Sequence, residues 1–115
     1  MPSSFFPRRG EVWETNTGGK RHTLVVVSLD ERNRSDKINS VLAVPFGSAG
    51  SEGPTVLKMQ LGESGLPEPS YLKAHFISVV LKADLVSRLP RMLSNPQMKR
   101  IVAMINRAID PDAPF

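Results

Sequence analysis

The chain has no cysteine in its 115 residues, which removes disulfide frameworks, thiol nucleophiles, thiolate zinc sites and iron–sulfur clusters together. Any chemistry falls to oxygen, nitrogen or backbone groups. Histidine is nearly as scarce. His22 and His75 are the only two, they stand far apart with no paired ligand beside either, and the spacing calls for no metal and no cofactor. Aromatic residues make up 6% of the chain, few for a reader of single strands built on a stacking platform. No apolar run, whether Leu24 to Val27 or Ile101 to Ile105, comes near the length of a membrane span. Pro2, Ser3 and Ser4 stand where a secretory leader would have a charged lead and a long apolar segment. The expectation is a cytoplasmic protein with no membrane partner. A Gly-x-Ser-x-Gly elbow is missing. Gly18-Gly19-Lys20 resembles the end of a phosphate loop, but Arg21 stands where Ser or Thr is needed.

What is present is turn chemistry and β-branched residues. Ten prolines and eight glycines fall between short apolar runs, the pattern of many short strands joined by turns. Strands are predicted at Glu11–Glu14, Thr23–Ser28, Val41–Phe46, Thr55–Leu61, Tyr71–Ala74 and Phe76–Leu81, the last two open to being one bent strand. The unbroken β-branched run of the second predicts burial on both faces. Polar connections at 47–54 and 62–69 read as exposed loops. Near the C-terminus Met98, Ile101, Val102, Ile105, Ala108 and Ile109 recur at helical steps. Ser94 and Gln97 have capping-box spacing ahead of that helix, and Asp110-Pro111 stops it. A further helical turn is predicted around Ala83–Arg88. The fold class is mainly β (α+β): a single domain over residues 1–115, with 1–7 and 111–115 as tails, built as a small, strongly curved sheet or barrel with one terminal helix.

Fifteen Lys and Arg against eleven Asp and Glu give a net charge of +4, which suits phosphate-bearing partners without establishing them. Two polar clusters stand at strand ends. Lys20, Arg21 and His22 precede the most buried strand, so the loop 16–20 brings cationic donors to one rim. A basic turn of this kind is equally compatible with simple solvation. Ser70, Lys73 and His75 form the second cluster. Lys73 and His75 are two apart in a predicted strand and so project from one face. A same-face Lys and His suit acid–base work on one substrate; a hydrogen-bonded, half-buried His75 is the plain alternative.

Arg9-Gly10-Glu11-Val12-Trp13, then Lys20 to Asn33 with its Arg-led apolar strand ending in Ser-x-Asp-x-x-Asn, then Val44-Pro45-Phe46-Gly47-Ser48, resemble the PemK/MazF family of toxin endoribonucleases in order and spacing over about residues 8–109. The resemblance implies an SH3-like barrel of the CcdB/PemK/MazF type with a C-terminal helix, a homodimer, and inhibition by a cognate acidic antitoxin. It also implies metal-independent cleavage of single-stranded RNA, in which the ribose 2′-hydroxyl attacks the neighbouring phosphate to leave a 2′,3′-cyclic phosphate and a 5′-hydroxyl. Arg21 matches the family's catalytic arginine. Two departures stand out: Arg21 is followed by His22 in place of the family's Pro, and the family's Thr in the third strand is Gly47 here, leaving Ser48 as the nearest hydroxyl. One branch carries an arginine and an aspartate where this chain has Lys73 and His75. Since histidine ordinarily titrates near ~6.5 and aspartate near ~3.9, His75 is well matched to accept a proton near neutrality. The expected catalytic set is therefore Arg21, His75, Lys73 and Ser48, with Lys20, His22, Gly47 and Ser70 contacting RNA. Two other readings follow from the same resemblance: a catalytically weakened member kept as a binding module, and a CcdB-like gyrase inhibitor, whose terminal signature the segment Asp110 to Phe115 does not resemble.

Overall fold

A computed structural model describes residues 6–17, 19–60 and 69–113. Within them the strands are β1 (Glu11–Thr17), β2 (Lys20–Val26), β3 (Ser40–Gly47), β4 (Val56–Met59), β5 (Ser70–Lys73), β6 (Ser78–Leu81) and β7 (Leu85–Met92). A one-turn helix α1 (Asp30–Asn33) follows β2, 3-10 turns occupy Ala74–Phe76 and Lys82–Asp84, and the chain closes with α2 (Asn95–Ile109). Every strand pairing is antiparallel, in the order β4-β5-β3-β2-β1-β7, with β6 also on β3. The sheet stays open; of the two expected forms, curved sheet or barrel, it is the sheet that forms.

β2 does bury both faces. Val25 and Val27 join the main core with Val12, Val44, Leu57, Met59, Leu72, Met98, Ile101 and Met104. Leu24 and Val26 join a second cluster with Val41 and Ala43, capped by Trp13, Val80 and Leu85. Alternation along a strand accounts for the split, and burying a Val or Leu side chain contributes about 1.5–3 kcal/mol each before entropy is counted.

The two sequence blocks that identify the fold are structural clasps. Gly10 holds φ 95°, and its N–H donates to the Val26 carbonyl at 2.8 Å while its own carbonyl accepts from Leu93 at 2.9 Å. Only glycine adopts that backbone without strain, and a Cβ there would also come within 3.3 Å of the Leu93 carbonyl oxygen. The buried Glu11 carboxylate accepts from the Arg8 N–H at 2.7 Å and the Trp13 indole at 3.1 Å, with Arg88 Nε 3.7 Å away. In the second clasp the fully buried Asn33 donates to the Ser28 carbonyl at 2.9 Å and accepts from the Ser28 hydroxyl, whose oxygen in turn accepts from the Leu42 N–H at 3.0 Å. Asp30 accepts from the Arg9 N–H at 2.7 Å and ties the two clasps together.

The terminal helix has its full capping box: the Ser94 hydroxyl accepts from Gln97 N–H, and Gln97 Oε1 accepts from Ser94 N–H at 2.8 Å. Its buried face is narrower than the apolar periodicity suggests. Met98, Ile101 and Met104 are buried and Ile105 packs beside them, whereas Val102, Ala108 and Ile109 are exposed. α2 rests on the 74–76 turn, which holds that turn against the core through Ala74, 0% exposed.

The helical-turn expectation changes, and an alternative left open is decided. The helical turn at 83–88 is a 3-10 turn at 82–84 followed by β7, whose backbone pairs with the free edge of β1. Sheet pairing overrides a weak local preference there, and Pro90 is tolerated because β7 is an edge strand. The fifth and sixth strands are separate, split by the 74–76 turn because β5 pairs β3 and β4 while β6 pairs the other end of β3. Of the tails, Pro7 is buried and Phe6 lies 4.5 Å beneath the Arg8 guanidinium, so both pack on the domain. Of the predicted loop at 62–69 only Pro69 is among the described residues, and Leu61 of the predicted fourth strand also lies outside them; the 48–54 stretch is exposed throughout.

Candidate active site

The strand ends carry most of the predicted residues, in two groups. β2 pairs with β3 only from Leu24 to Val26, so Lys20, Arg21 and His22 run on past that ladder with β1 alone beside them, Arg21 opposite Asn16. All three are exposed. Alternation sends Arg21 to the side of Thr23 and Val25, and Lys20 and His22 to the other. The Arg21 guanidinium lies 3.4 Å from Glu14 Oε2, with 68% of its side chain exposed. A surface pair of that kind contributes little to stability; it restrains where the donors point. Ser48 is the first residue past β3 and is exposed.

The second group is built around Gly47. Its φ is not in the left-handed region, so the backbone does not require glycine there. What glycine supplies is room: a Cβ at Gly47 would lie 3.0 Å from Lys73 Cε and 3.1 Å from its Nζ. The Lys73 ammonium therefore occupies the space that a side chain at position 47 would take. Its Nζ also stands 6.0 Å from the centre of the Phe76 ring, the outer limit of a cation–π contact.

Lys73 and His75 do share one neighbourhood, by a route other than strand alternation. β5 ends at Lys73 and His75 belongs to the 3-10 turn. Phe76, 55% exposed, joins them: its ring is 4.4 Å from the His75 ring at 48° and also neighbours the Lys73 ammonium. His75 is exposed, with Nδ1 3.0 Å from Thr55 Oγ1, so the half-buried alternative does not hold. Ser70 is 8% exposed, on the same strand face as the core residue Leu72. Thr55, Phe76 and Glu14 escape a reading by sequence motif; the only signal for Phe76 was an aromatic residue beside a candidate base in a chain poor in aromatics.

Among the described residues no three His, Asp or Glu side chains converge as a metal site would require, and no helix is long and apolar enough to cross a membrane. The rim therefore offers cationic donors, an imidazole and an exposed aromatic ring. Residues 8–109 match the model of the PemK-like, MazF-like toxins of type II toxin–antitoxin systems. The chain belongs to this family. As a PemK/MazF-type chain it is similar to a solved endoribonuclease in complex with its cognate antitoxin from Mycobacterial species, with 25% identity, a TM-score of 0.80, and coverage of 94% of this chain and 99% of that one. It is similar in fold to the Mycobacterium tuberculosis toxin MazF-mt6, at 16% identity and TM-score 0.75 over 89% and 98% of the two chains. The MazE–MazF structure (Form-II) from Deinococcus radiodurans matches at 14% identity and TM-score 0.77 over 93% and 98%. No curated protein matches the sequence. At Gly47 a cation thus fills the space that a side chain would take.

Proposed function

We propose that this PemK/MazF-type toxin cuts single-stranded RNA at the rim formed by Arg21, Lys73 and His75, without a metal. Endoribonuclease activity goes with the family and with the complexed relative at 25% identity; the residue roles follow from chemistry. The 2′-oxygen bonds to phosphorus while the bond to the 5′-oxygen breaks. The 2′-hydroxyl proton goes to Nε2 of His75, and the leaving 5′-oxygen takes a proton from the Lys73 ammonium. Arg21 stays charged throughout and stabilises the phosphorane oxygens, a task its forked donors suit. Ser48 positions the phosphate, and Lys20 and His22 contact the strand on either side of it. The observation that carries this reading is the Lys73 ammonium set against Gly47 with the exposed His75 on the adjoining turn.

An acidic antitoxin tail is attracted to the same basic rim and inhibits by competing for it; the MazE–MazF complex and the endoribonuclease bound to its cognate antitoxin support such a partner. A homodimer and a cytoplasmic setting complete the proposal. The test is cleavage of a single-stranded RNA in EDTA, with analysis of the new ends. Wild-type protein is expected to leave 2′,3′-cyclic phosphates, and His75→Ala to lose about 10²–10⁴-fold in rate. Turnover by His75→Ala close to wild type removes His75 from the mechanism, and inhibition of gyrase supercoiling with RNA left intact overturns the proposal as a whole.

A further inference from the structure

Thr55 meets the turn that carries His75 in two places. Its carbonyl accepts from the buried Ala74 N–H at 2.8 Å, and its hydroxyl oxygen lies 3.0 Å from His75 Nδ1. We propose that Thr55 is a positioning residue that holds the proton of neutral His75 on Nδ1, leaving the Nε2 lone pair free for the RNA 2′-hydroxyl. This rests on the assignment of His75 as the base.

The geometry restricts the ring from several sides. The backbone bond fixes the turn relative to Thr55, which directly precedes β4. α2 packs on the turn from below, and Phe76 tilts against the imidazole at 4.4 Å. A half-turn of the ring about its bond to Cβ would replace Nδ1 by a carbon and forfeit the bond to Thr55.

The direction of that bond follows from the proton inventory. A hydroxyl can donate or accept. If the hydroxyl donates to Nδ1, the imidazole proton sits on Nε2, the outward nitrogen has no lone pair, and the bond must reverse once the ring is protonated. If Nδ1–H donates to Oγ1, the same bond serves both the neutral base and the imidazolium formed when Nε2 takes the 2′-hydroxyl proton. No other proton moves and no reorganisation is needed. The nitrogen that carries the proton is set by the hydrogen bond the other nitrogen makes, and a hydroxyl whose own backbone carbonyl is bonded to the 74–76 turn is placed to set it.

The experiment is nitrogen-15 NMR of the His75 ring at a pH where it is neutral, alongside kinetics. Wild-type protein is expected to show the Nδ1–H tautomer. Thr55→Val keeps the β-branch and the backbone bond but removes the hydroxyl; it should lose that tautomer and about 10- to 100-fold in kcat with KM little changed, the range seen for partners that orient other histidines. Thr55→Ser should restore both. An Nε2–H tautomer in the wild-type protein overturns the inference without any variant, and so does a Thr55→Val protein with unaltered tautomer and kcat. His75→Ala separates the two ideas: full activity there rejects His75 as base, while the tautomer measurement still judges what Thr55 does to the ring.

Discussion

The clasps at the base of the sheet and the rim at its strand ends both use polar side chains, for opposite ends. At the base, Glu11, Asp30, Asn33 and Ser28 are bonded to backbone or to each other, and Asn33 is fully buried. At the rim, Arg21, Ser48 and His75 are exposed, and the polar contacts they make are few: one acidic neighbour for Arg21 and one hydroxyl for His75. Buried polar groups that are satisfied specify a fold and are costly to disturb. Exposed donors with spare capacity cost little to keep and are available to a ligand. The difference separates residues that should fail by unfolding from residues that should fail by chemistry.

That separation is sharpest at Arg21. Arg21→Ala should reduce RNA cleavage by roughly 10²–10³-fold, about 3–4 kcal/mol of transition-state stabilisation, while its thermal midpoint stays within a degree or two, because its ion pair is exposed. A large fall in Tm would place Arg21 with the clasps. Asn33→Ala should do the reverse. It strands the Ser28 carbonyl in the interior, so a loss of about 2–3 kcal/mol is expected, read as a fall of roughly 10 °C in Tm, with activity per folded molecule preserved. Denaturation monitored beside initial rates distinguishes the two, and an Asn33→Ala protein that is stable but inactive would break the comparison. The smallest effect is the most discriminating. Restoring the family's residue by Gly47→Thr should lower activity by about tenfold, near 1.4 kcal/mol, since the new side chain displaces the Lys73 ammonium. A gain in activity would show that the vacated hydroxyl matters more than the cation that replaced it.

Much of the fold was legible because it is written in local patterns. The β-branched run of β2 announced burial on both faces, and the capping box of α2 was visible in the Ser94–Gln97 spacing. β7 was not legible, because its strand character comes from pairing with β1 across some seventy residues of chain and its own pattern of exposure barely alternates. Met104 completes the buried stripe of α2 where Val102, Ala108 and Ile109 do not; periodicity gives an apolar arc, and only packing tells which part of the arc is covered. At the site, Lys73 and His75 were grouped on a two-residue strand period that the structure does not keep. The turn after Lys73 breaks that period, and both residues instead lie beside the ring of Phe76. The motifs that carry the resemblance, Arg-Gly-Glu-Val-Trp and Ser-x-Asp-x-x-Asn, serve the clasps. The burial of Ser70 was not legible, because nothing in its neighbours reveals which face of a four-residue strand is inward.

β2 is paired on both edges from Leu24 to Val26 but on one edge only from Lys20 to His22. In hydrogen exchange the same strand should therefore report two clocks: slow amides at its inner end that open only with the whole domain, and fast ones at its outer end that open locally. Arg21, the proposed phosphate contact, is mounted on the fast end, able to adjust to a passing strand of RNA while the valines a few residues away stay locked.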